Sequence, residues 1–155
     1  MPYVIDGNNL LGAARDRRLG LPRDEQDLVR LLSTFAHARR TFLRVVFDGP
    51  AQARGGAGRA ARAGRVKVLY SGSGRIADDV IVDLVRADAA PADLVVVTSD
   101  AALRGRVRAS GGRVMGCAEF ARRLADAAAG TGGDDEKPLP GDVEAWERYF
   151  RGEED

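Results

Sequence analysis

The sequence predicts an α/β domain built on a central parallel sheet of about five strands. Short apolar runs of strand length alternate with longer runs of helical spacing, and the first strand-like run is nearly continuous in apolar residues, as in strands buried on both faces. Several strand-like runs end in an aspartate. A length of 155 residues and a hydrophobic content of 45% suit one globular domain with its own core.

The first strand and its turn lie at the start of the chain. Residues 3–11 (Tyr-Val-Ile-Asp-Gly-Asn-Asn-Leu-Leu) predict an apolar strand, a polar turn and the start of a helix. Such a run is typical of the central strand of a parallel sheet, and α/β folds bind their ligands at the carboxyl ends of these strands. One or two helical turns and a loop are expected as far as Leu21.

The next predicted helix begins after Asp24, which is a favoured type of N-cap residue. Apolar residues at helical spacing from Leu28 to Phe35 predict that this helix runs to about Arg40. His37, the single histidine, has no second histidine to assist it and is interpreted as an incidental residue of the helix. Residues 42–47 supply the second strand.

The remaining elements continue the alternation of strands and helices. The predicted order is a strand at residues 66–70, a helix that opens with Asp78 and Asp79, a strand at 94–99, a helix at 101–109, a strand at 113–115 and a helix at 118–128. Residues 72–77 imitate a dinucleotide-binding fingerprint between a strand and a helix. No acidic residue ends a following strand at the required distance, so this is a weak indication of a nucleotide site.

Composition divides the chain into three parts. Residues 1–128 form the predicted core domain, residues 129–141 a flexible acidic linker rich in glycine and proline, and residues 142–155 a short helix with an acidic end. Trp146 and Phe150 fall on one side of that helix. We expect it to dock on the core domain, and the alternative is a partner-binding helix.

The expected compartment is the cytoplasm. No run is long and apolar enough to span a membrane, and the first residues lack the basic and apolar regions of a signal peptide. The single cysteine, Cys117, cannot form an internal disulfide and is interpreted as a core residue.

Charge is distributed unevenly along the chain. Residues 1–128 carry 21 Lys and Arg against 14 Asp and Glu, whereas residues 129–155 carry 3 against 9. A basic core domain favours a polyanionic partner, and the alternative is solvated surface charge. Residues 49–64 form a predicted loop rich in glycine and arginine that starts beside Asp48. Its candidate contacts with a nucleic-acid backbone, with an inert loop as the alternative, are Arg54, Arg59, Arg62 and Arg65.

Carboxylates are expected to gather at one edge of the sheet, because each lies at a strand end or at the start of the following helix. The set comprises Asp6, Asp48, Asp78, Asp79 and Asp100. Clustered carboxylates repel one another unless a cation lies among them, and oxygen ligands favour magnesium or manganese over zinc. The alternative is that each aspartate only caps the helix that follows it.

The ordered motifs resemble one nuclease family. They are Asp6-Gly7-x-Asn9, Val46-Phe47-Asp48-Gly49, Ala77-Asp78-Asp79-x-Ile81 and Thr98-Ser99-Asp100. In this order and spacing the chain is similar to the YacP-like NYN domains of the PIN-like superfamily, over about residues 3–125. The resemblance implies a three-layer α/β/α domain and metal-dependent cleavage of RNA.

Site residues follow from this resemblance. It implies catalytic roles for Asp6, Asn9, Asp78 and Asp100, and magnesium or manganese held by the three aspartates among them, with Asp48 and Asp79 as further ligand candidates. The implied partner is RNA, and the ribosome is a candidate site at which mRNA is presented. Two rival functions are a non-catalytic RNA- or ribosome-binding adaptor and a nucleotide-binding regulator that uses residues 72–77.

Overall fold

A computed structural model of the chain describes residues 2–50 and 61–128. The elements, in order, are β1 (Tyr3–Asp6), α1 (Gly7–Ala13), a 3₁₀ turn (Arg17–Leu19), α2 (Glu25–Ala38), β2 (Leu43–Phe47), β3 (Ala61–Ala63), β4 (Val66–Tyr70), α3 (Ala77–Ala87), a second 3₁₀ turn (Pro91–Asp93), β5 (Val95–Val97), α4 (Ala101–Ala109), β6 (Arg113–Met115) and α5 (Cys117–Ala128). The linker and terminal helix predicted for residues 129–155 lie outside the described residues. No helix in the described ranges is long and apolar enough to cross a membrane.

The six strands form one sheet in the order β3-β4-β2-β1-β5-β6. Five of them are parallel, and β3 pairs antiparallel with β4 at one edge. β1 is central, with β2 on one side and β5 on the other. The predicted parallel sheet of about five strands is confirmed, and the carboxyl ends of its strands meet at one edge.

Helices cover both faces of the sheet, because side chains of successive strand residues point to opposite faces. Ile5, Val45 and Val97 contribute to the core beneath α1, α2 and α5. Val4 and Val46 contribute to the second core, beneath α3 and α4. The result is the three-layer α/β/α arrangement that the family resemblance implied.

A tight approach between α1 and β2 brings the first turn close to the sheet. A β-carbon at Gly7 would overlap the aromatic ring of Phe47, so the position requires glycine. Phe47 is buried and α1 packs against β2. Gly7 therefore allows the residues on either side of it, Asp6 and Asn8, to lie near the end of β2.

The structure corrects the sequence interpretation at β3. Residues 61–63 were expected to belong to a loop, but they pair with residues 66–68 through a two-residue turn at Gly64 and Arg65. Gly64 has a φ of +59°, which suits the turn of a hairpin. Two predicted strands are also shorter than expected, since β2 begins at residue 43 and β5 covers residues 95–97.

Candidate functional site

Asp6 ends β1 and is almost completely buried, with 5% of its surface exposed. Its Oδ1 accepts a hydrogen bond from the Asn9 backbone N–H at 3.3 Å and caps α1. Its Oδ2 accepts one from the Thr98 hydroxyl at 3.1 Å. Burial raises the pKa of Asp6 to about 6, although both hydrogen bonds act to lower it.

Thr98 connects Asp6 to Asp100 at the carboxyl end of β5. The Thr98 hydroxyl is buried, donates to Asp6 and accepts a hydrogen bond from the Asp100 backbone N–H at 3.1 Å. Asp100 in turn caps α4, because its Oδ1 accepts from the N–H groups of Ala102 and Leu103 at 2.9 and 3.2 Å. One threonine thus holds the ends of two neighbouring strands in register.

Asn9 is oriented by two donors, one just after β5 and one at the start of α5. Its Oδ1 accepts from the Ser99 backbone N–H at 2.7 Å and from the Cys117 thiol at 3.0 Å. Burial raises the pKa of the Cys117 thiol, which keeps it protonated and able to donate. Because a backbone N–H can only donate, these contacts identify the carbonyl end of the Asn9 amide, and its Nδ2 donors point away from them.

Asp48 follows β2 and caps α3 from a neighbouring strand. Its Oδ1 accepts a hydrogen bond from the Ala77 backbone N–H at 2.6 Å, where α3 begins. Ile76, at the N-cap position of α3, makes no side-chain capping bond, so Asp48 takes over that role. The backbone N–H of Asp48 donates to the Asn8 side-chain carbonyl at 2.6 Å, which joins this loop to the start of α1.

Asp78 and Asp79 occupy the first turn of α3. Burial raises the pKa of Asp78, and repulsion from Asp100 and then Asp48 raises it further. Arg106 of α4 pairs with Asp79 at 3.0 Å, and its charge lowers the pKa of Asp78. Carboxylates from four different elements therefore act on one another electrostatically in one cleft at the carboxyl edge.

The chemistry of this donor set fits a hard divalent cation. The side chains offer carboxylate oxygens with excess negative charge, the kind of ligands that magnesium and manganese prefer. A cation among them would relieve the repulsion that raises the pKa of Asp78. Within residues 2–50 and 61–128, no group of three or more Asp, Glu, His or Cys side chains is placed so that it could hold a metal ion. The carboxylates at this edge of the sheet, which act on one another from separate elements, are called the acidic cleft below.

Comparison with known proteins identifies the family. The sequence matches the YacP-like NYN domain over residues 3–137. The chain belongs to the YacP-like NYN domain family. This is a PIN-like nuclease family, so the prediction from the ordered motifs is confirmed. No protein with a curated description matches the chain.

Two solved structures share the fold of this YacP-like NYN domain. Rae1 (YacP) from Bacillus subtilis matches with a TM-score of 0.66 and 20% identity, covering 84% of this chain and 77% of that one. A tryptophan-to-leucine mutant of the same protein matches with a TM-score of 0.61 and 21% identity, covering 81% and 76%. At these identities the likeness shows the fold.

The arginines predicted to contact RNA have different positions in this YacP-like NYN domain. Arg54 and Arg59 lie outside the described residues. Arg62 lies in β3, opposite Lys67 of β4. Arg65 lies in the β3–β4 turn at the amino end of β4. Because β4 runs parallel to β2, Arg65 is at the sheet edge opposite the carboxylates.

At the start of α3, after the glycine-containing loop, one N–H group that a phosphate would use is already bonded to a carboxylate. Gly72 and Gly74 both have a φ of +81°, and α3 follows at Ala77. A nucleotide site of this kind would bind phosphate through the first N–H groups of the helix. Here the Ala77 N–H already donates to the Asp48 carboxylate. This arrangement disfavours the nucleotide-binding alternative.

Several residues of the candidate site were not predicted as such. Thr98 was noted only as part of a motif, Cys117 only as a core residue, and neither Asn8 nor Arg106 had an expected role. Cys117 is buried, as predicted. Its contact with Asn9 and the contact of Asn8 with Asp48 join residues 108 and 40 positions apart, so no local sequence signal could reveal them.

Proposed function

We propose that this protein is a metal-dependent endoribonuclease that hydrolyses RNA phosphodiester bonds in the acidic cleft at the carboxyl edge of the sheet. The observation that carries the proposal is the position of carboxylates from separate elements at one edge of the sheet. Burial raises the pKa of Asp78, and repulsion from Asp100 and Asp48 raises it further. Such a cluster destabilises the fold through charge repulsion, and a bound cation would offset that repulsion. Membership of a nuclease family supports the same reaction class.

The proposed cation ligands are Asp6, Asp78 and Asp100, which would hold one or two magnesium or manganese ions. Asp48 and Asp79 are further candidates. When bound, the cation would lower the pKa of a water molecule and offset negative charge on the phosphate. Thr98 would keep Asp6 and Asp100 at a constant separation, because its hydroxyl bonds to both residues.

Asn9 is the proposed hydrogen-bond donor to the substrate. Its carbonyl oxygen is occupied by Ser99 and Cys117, which leaves the Nδ2 donors for a phosphate oxygen or the attacking water. His37, the only histidine, lies in α2 near Arg65 and is not in the cleft. A histidine-based ribonuclease mechanism without metal therefore has no candidate residue.

A non-catalytic RNA- or ribosome-binding adaptor is the second candidate function. One observation favours it: Asp6, Asp48 and Asp100 each use one carboxylate oxygen as a helix cap, as purely structural aspartates do. An adaptor would keep these capping bonds and would have no need for Asp78, which caps nothing in the described structure.

A cleavage assay separates the two functions. We expect the parent protein to cut labelled RNA, including ribosome-bound mRNA, when magnesium or manganese is present and not in a chelator. Asp78→Asn should lower the cleavage rate by at least about 100-fold, because it removes a carboxylate proposed to hold the cation that offsets negative charge on the phosphate. Asp83→Asn is a matched control, since Asp83 lies in the same helix, is exposed and pairs with Arg75.

Equal cleavage rates of the parent and Asp78→Asn would show that Asp78 is not part of the active site. RNA binding without cleavage under any of these conditions would favour the adaptor. Both conclusions require that the variant is folded, and a thermal melt in chelator checks that it unfolds at no lower temperature than the parent.

A further inference from the structure

A second candidate RNA surface lies at the amino edge of the sheet, opposite the acidic cleft. It consists of Arg40 at the end of α2, Phe42 before β2 and Arg65 in the β3–β4 turn, and is called the amino-edge patch below. The carbonyl groups of Phe42 and Arg65 accept hydrogen bonds from Tyr3 and Leu43 at 3.2 and 3.0 Å. The patch is therefore anchored to the central strands.

Phe42 is the aromatic centre of this patch. It is 60% exposed, and only Ile76 among the other large apolar side chains of the described residues is similarly exposed. The Arg65 guanidinium lies 5.1 Å from the centroid of the Phe42 ring. An aromatic ring that remains exposed beside a stacked guanidinium offers a flat apolar surface with positive charge at its side.

The charge of the patch is uncompensated in the described structure. Residues 37–47 and 64–70 contain no acidic residue. Among the ion pairs of residues 2–50 and 61–128, none joins a carboxylate to Arg40 or Arg65. Their positive charge is thus available to an anion.

Arg40 occupies a backbone conformation that favours glycine. Its φ is +51°, and it is the only non-glycine residue with positive φ among the described residues. The N–H groups of Arg40 and Thr41 donate to carbonyls of the last turn of α2, which is the helix ending where glycine is most common. An arginine at this position is less favourable than a glycine, and a function for its charge would explain its presence.

We propose that the amino-edge patch binds single-stranded RNA, with an unpaired base stacked on Phe42 and flanking phosphates bound by Arg40 and Arg65. The inference rests on the proposed function, because it takes RNA to be the substrate. An exposed aromatic ring beside arginine suits a strand whose bases are unpaired, since a duplex hides its base faces. An acidic protein partner would use the arginines but would not need a stacking surface.

This position gives the patch a defined relation to the acidic cleft. The two surfaces are separated by the length of the parallel strands, about 16 Å for the five residues of β4. RNA that reaches both must therefore extend along the domain. The patch would select substrates with several unpaired nucleotides on one side of the scissile bond, within the 4–16 nucleotides that are typical of single-strand sites.

Fluorescence anisotropy with a labelled single-stranded RNA of about 12 nucleotides tests the proposal. Chelator in the buffer keeps cleavage out of the measurement. Phe42→Ala should weaken binding about tenfold with an unchanged salt dependence, because it removes stacking and no charge. Phe42→Trp should bind at least as tightly as the parent. Arg65→Ala should flatten the log-log salt dependence by about 0.7, the slope of one phosphate contact.

Arg40→Gly provides a variant whose weaker binding cannot come from misfolding. It should be more stable than the parent and should still lose a salt-dependent contact with RNA. Arg30→Ala is the matched control, because Arg30 is an exposed arginine of the same helix, 3.9 Å from Asp27. It should change neither affinity nor salt slope.

Parent-like affinity of Phe42→Ala would overturn the proposal. If Phe42→Ala weakened the binding of single-stranded and duplex RNA equally, the proposal would be overturned as well, since stacking on Phe42 requires an unpaired base. A loss confined to the arginine variants would indicate a charged surface without base recognition, again against the proposal. None of these results depends on catalysis, so the Asp78→Asn cleavage assay can fail or succeed independently.

Discussion

At the residue scale, Asp6 combines deep burial with a negative charge. The carboxylate accepts two hydrogen bonds, yet burial still raises its pKa from 3.8 to about 6. The unfolded chain therefore holds the proton of Asp6 less tightly than the folded domain does. Between about pH 4 and pH 6 the folded state binds more protons, so this residue favours folding at the acidic end of that window and loses its contribution as pH rises through 6.

Asp6→Asn should remove this pH dependence in the metal-free protein. A shift of this size corresponds to about 3 kcal/mol at most between pH 4 and pH 7. The free energy of unfolding of the variant should exceed that of the parent at pH 7.5 by about 1–2 kcal/mol, with the difference shrinking or reversing at pH 5. Urea unfolding in chelator at the two pH values measures it. A difference that is the same at both values would contradict the assignment.

At the scale of elements, α3 depends on a cap supplied by a different strand. The helix carries Asp78 and Asp79 in its first turn, and the Ala77 N–H that begins this turn is bound by Asp48. The position of two proposed site residues is therefore set by the end of β2. The sequence interpretation left Asp48 as a possible ligand, and the structure adds this positioning role.

Substitutions at Asp48 distinguish a cap from a cation ligand. Asp48→Ala leaves the Ala77 N–H without its acceptor and should lower the free energy of unfolding by about 1–2 kcal/mol. Asp48→Asn keeps a carbonyl acceptor and should cost clearly less. If Asp48 is a ligand, both variants should instead lose manganese affinity to a similar degree in calorimetric titrations. Asp24→Ala and Asp24→Asn, at the cap of α2, are matched controls.

The order of strands and helices was predictable because apolar periodicity and N-cap residues are local signals. Asp24, for example, caps α2 as its position before the apolar residues indicated. β3 was missed because its Ala-Arg-Ala sequence has little strand character of its own and is held by pairing with β4. The parallel sheet also predicted that aspartates from separate elements would gather at one edge. The Thr98 link between Asp6 and Asp100 could not be predicted, because it depends on how β1 and β5 align.

At the scale of the whole molecule, two segments of the sequence carry opposite net charges. Residues 1–128 have a net charge of +7 and residues 129–155 a net charge of −6. The acidic segment lies outside the described residues, and its composition predicts a linker followed by a short helix. A covalently attached anionic segment has an effective concentration on the order of millimolar near the domain, which is enough for weak attraction to matter.

Truncation after Ala129 should therefore raise RNA affinity, because it removes an anionic competitor for basic surfaces such as the amino-edge patch. The increase should be largest at low salt and should fade as screening shortens the reach of the charges, to about 10 Å at 0.1 M. Anisotropy titrations of the full and truncated chains over a salt series measure it. A chain of full length in which the acidic residues after 129 are changed to Asn and Gln separates charge from the aromatic pair Trp146 and Phe150. If the truncated protein folds normally and binds RNA no more tightly at low salt, the acidic segment does not compete with RNA.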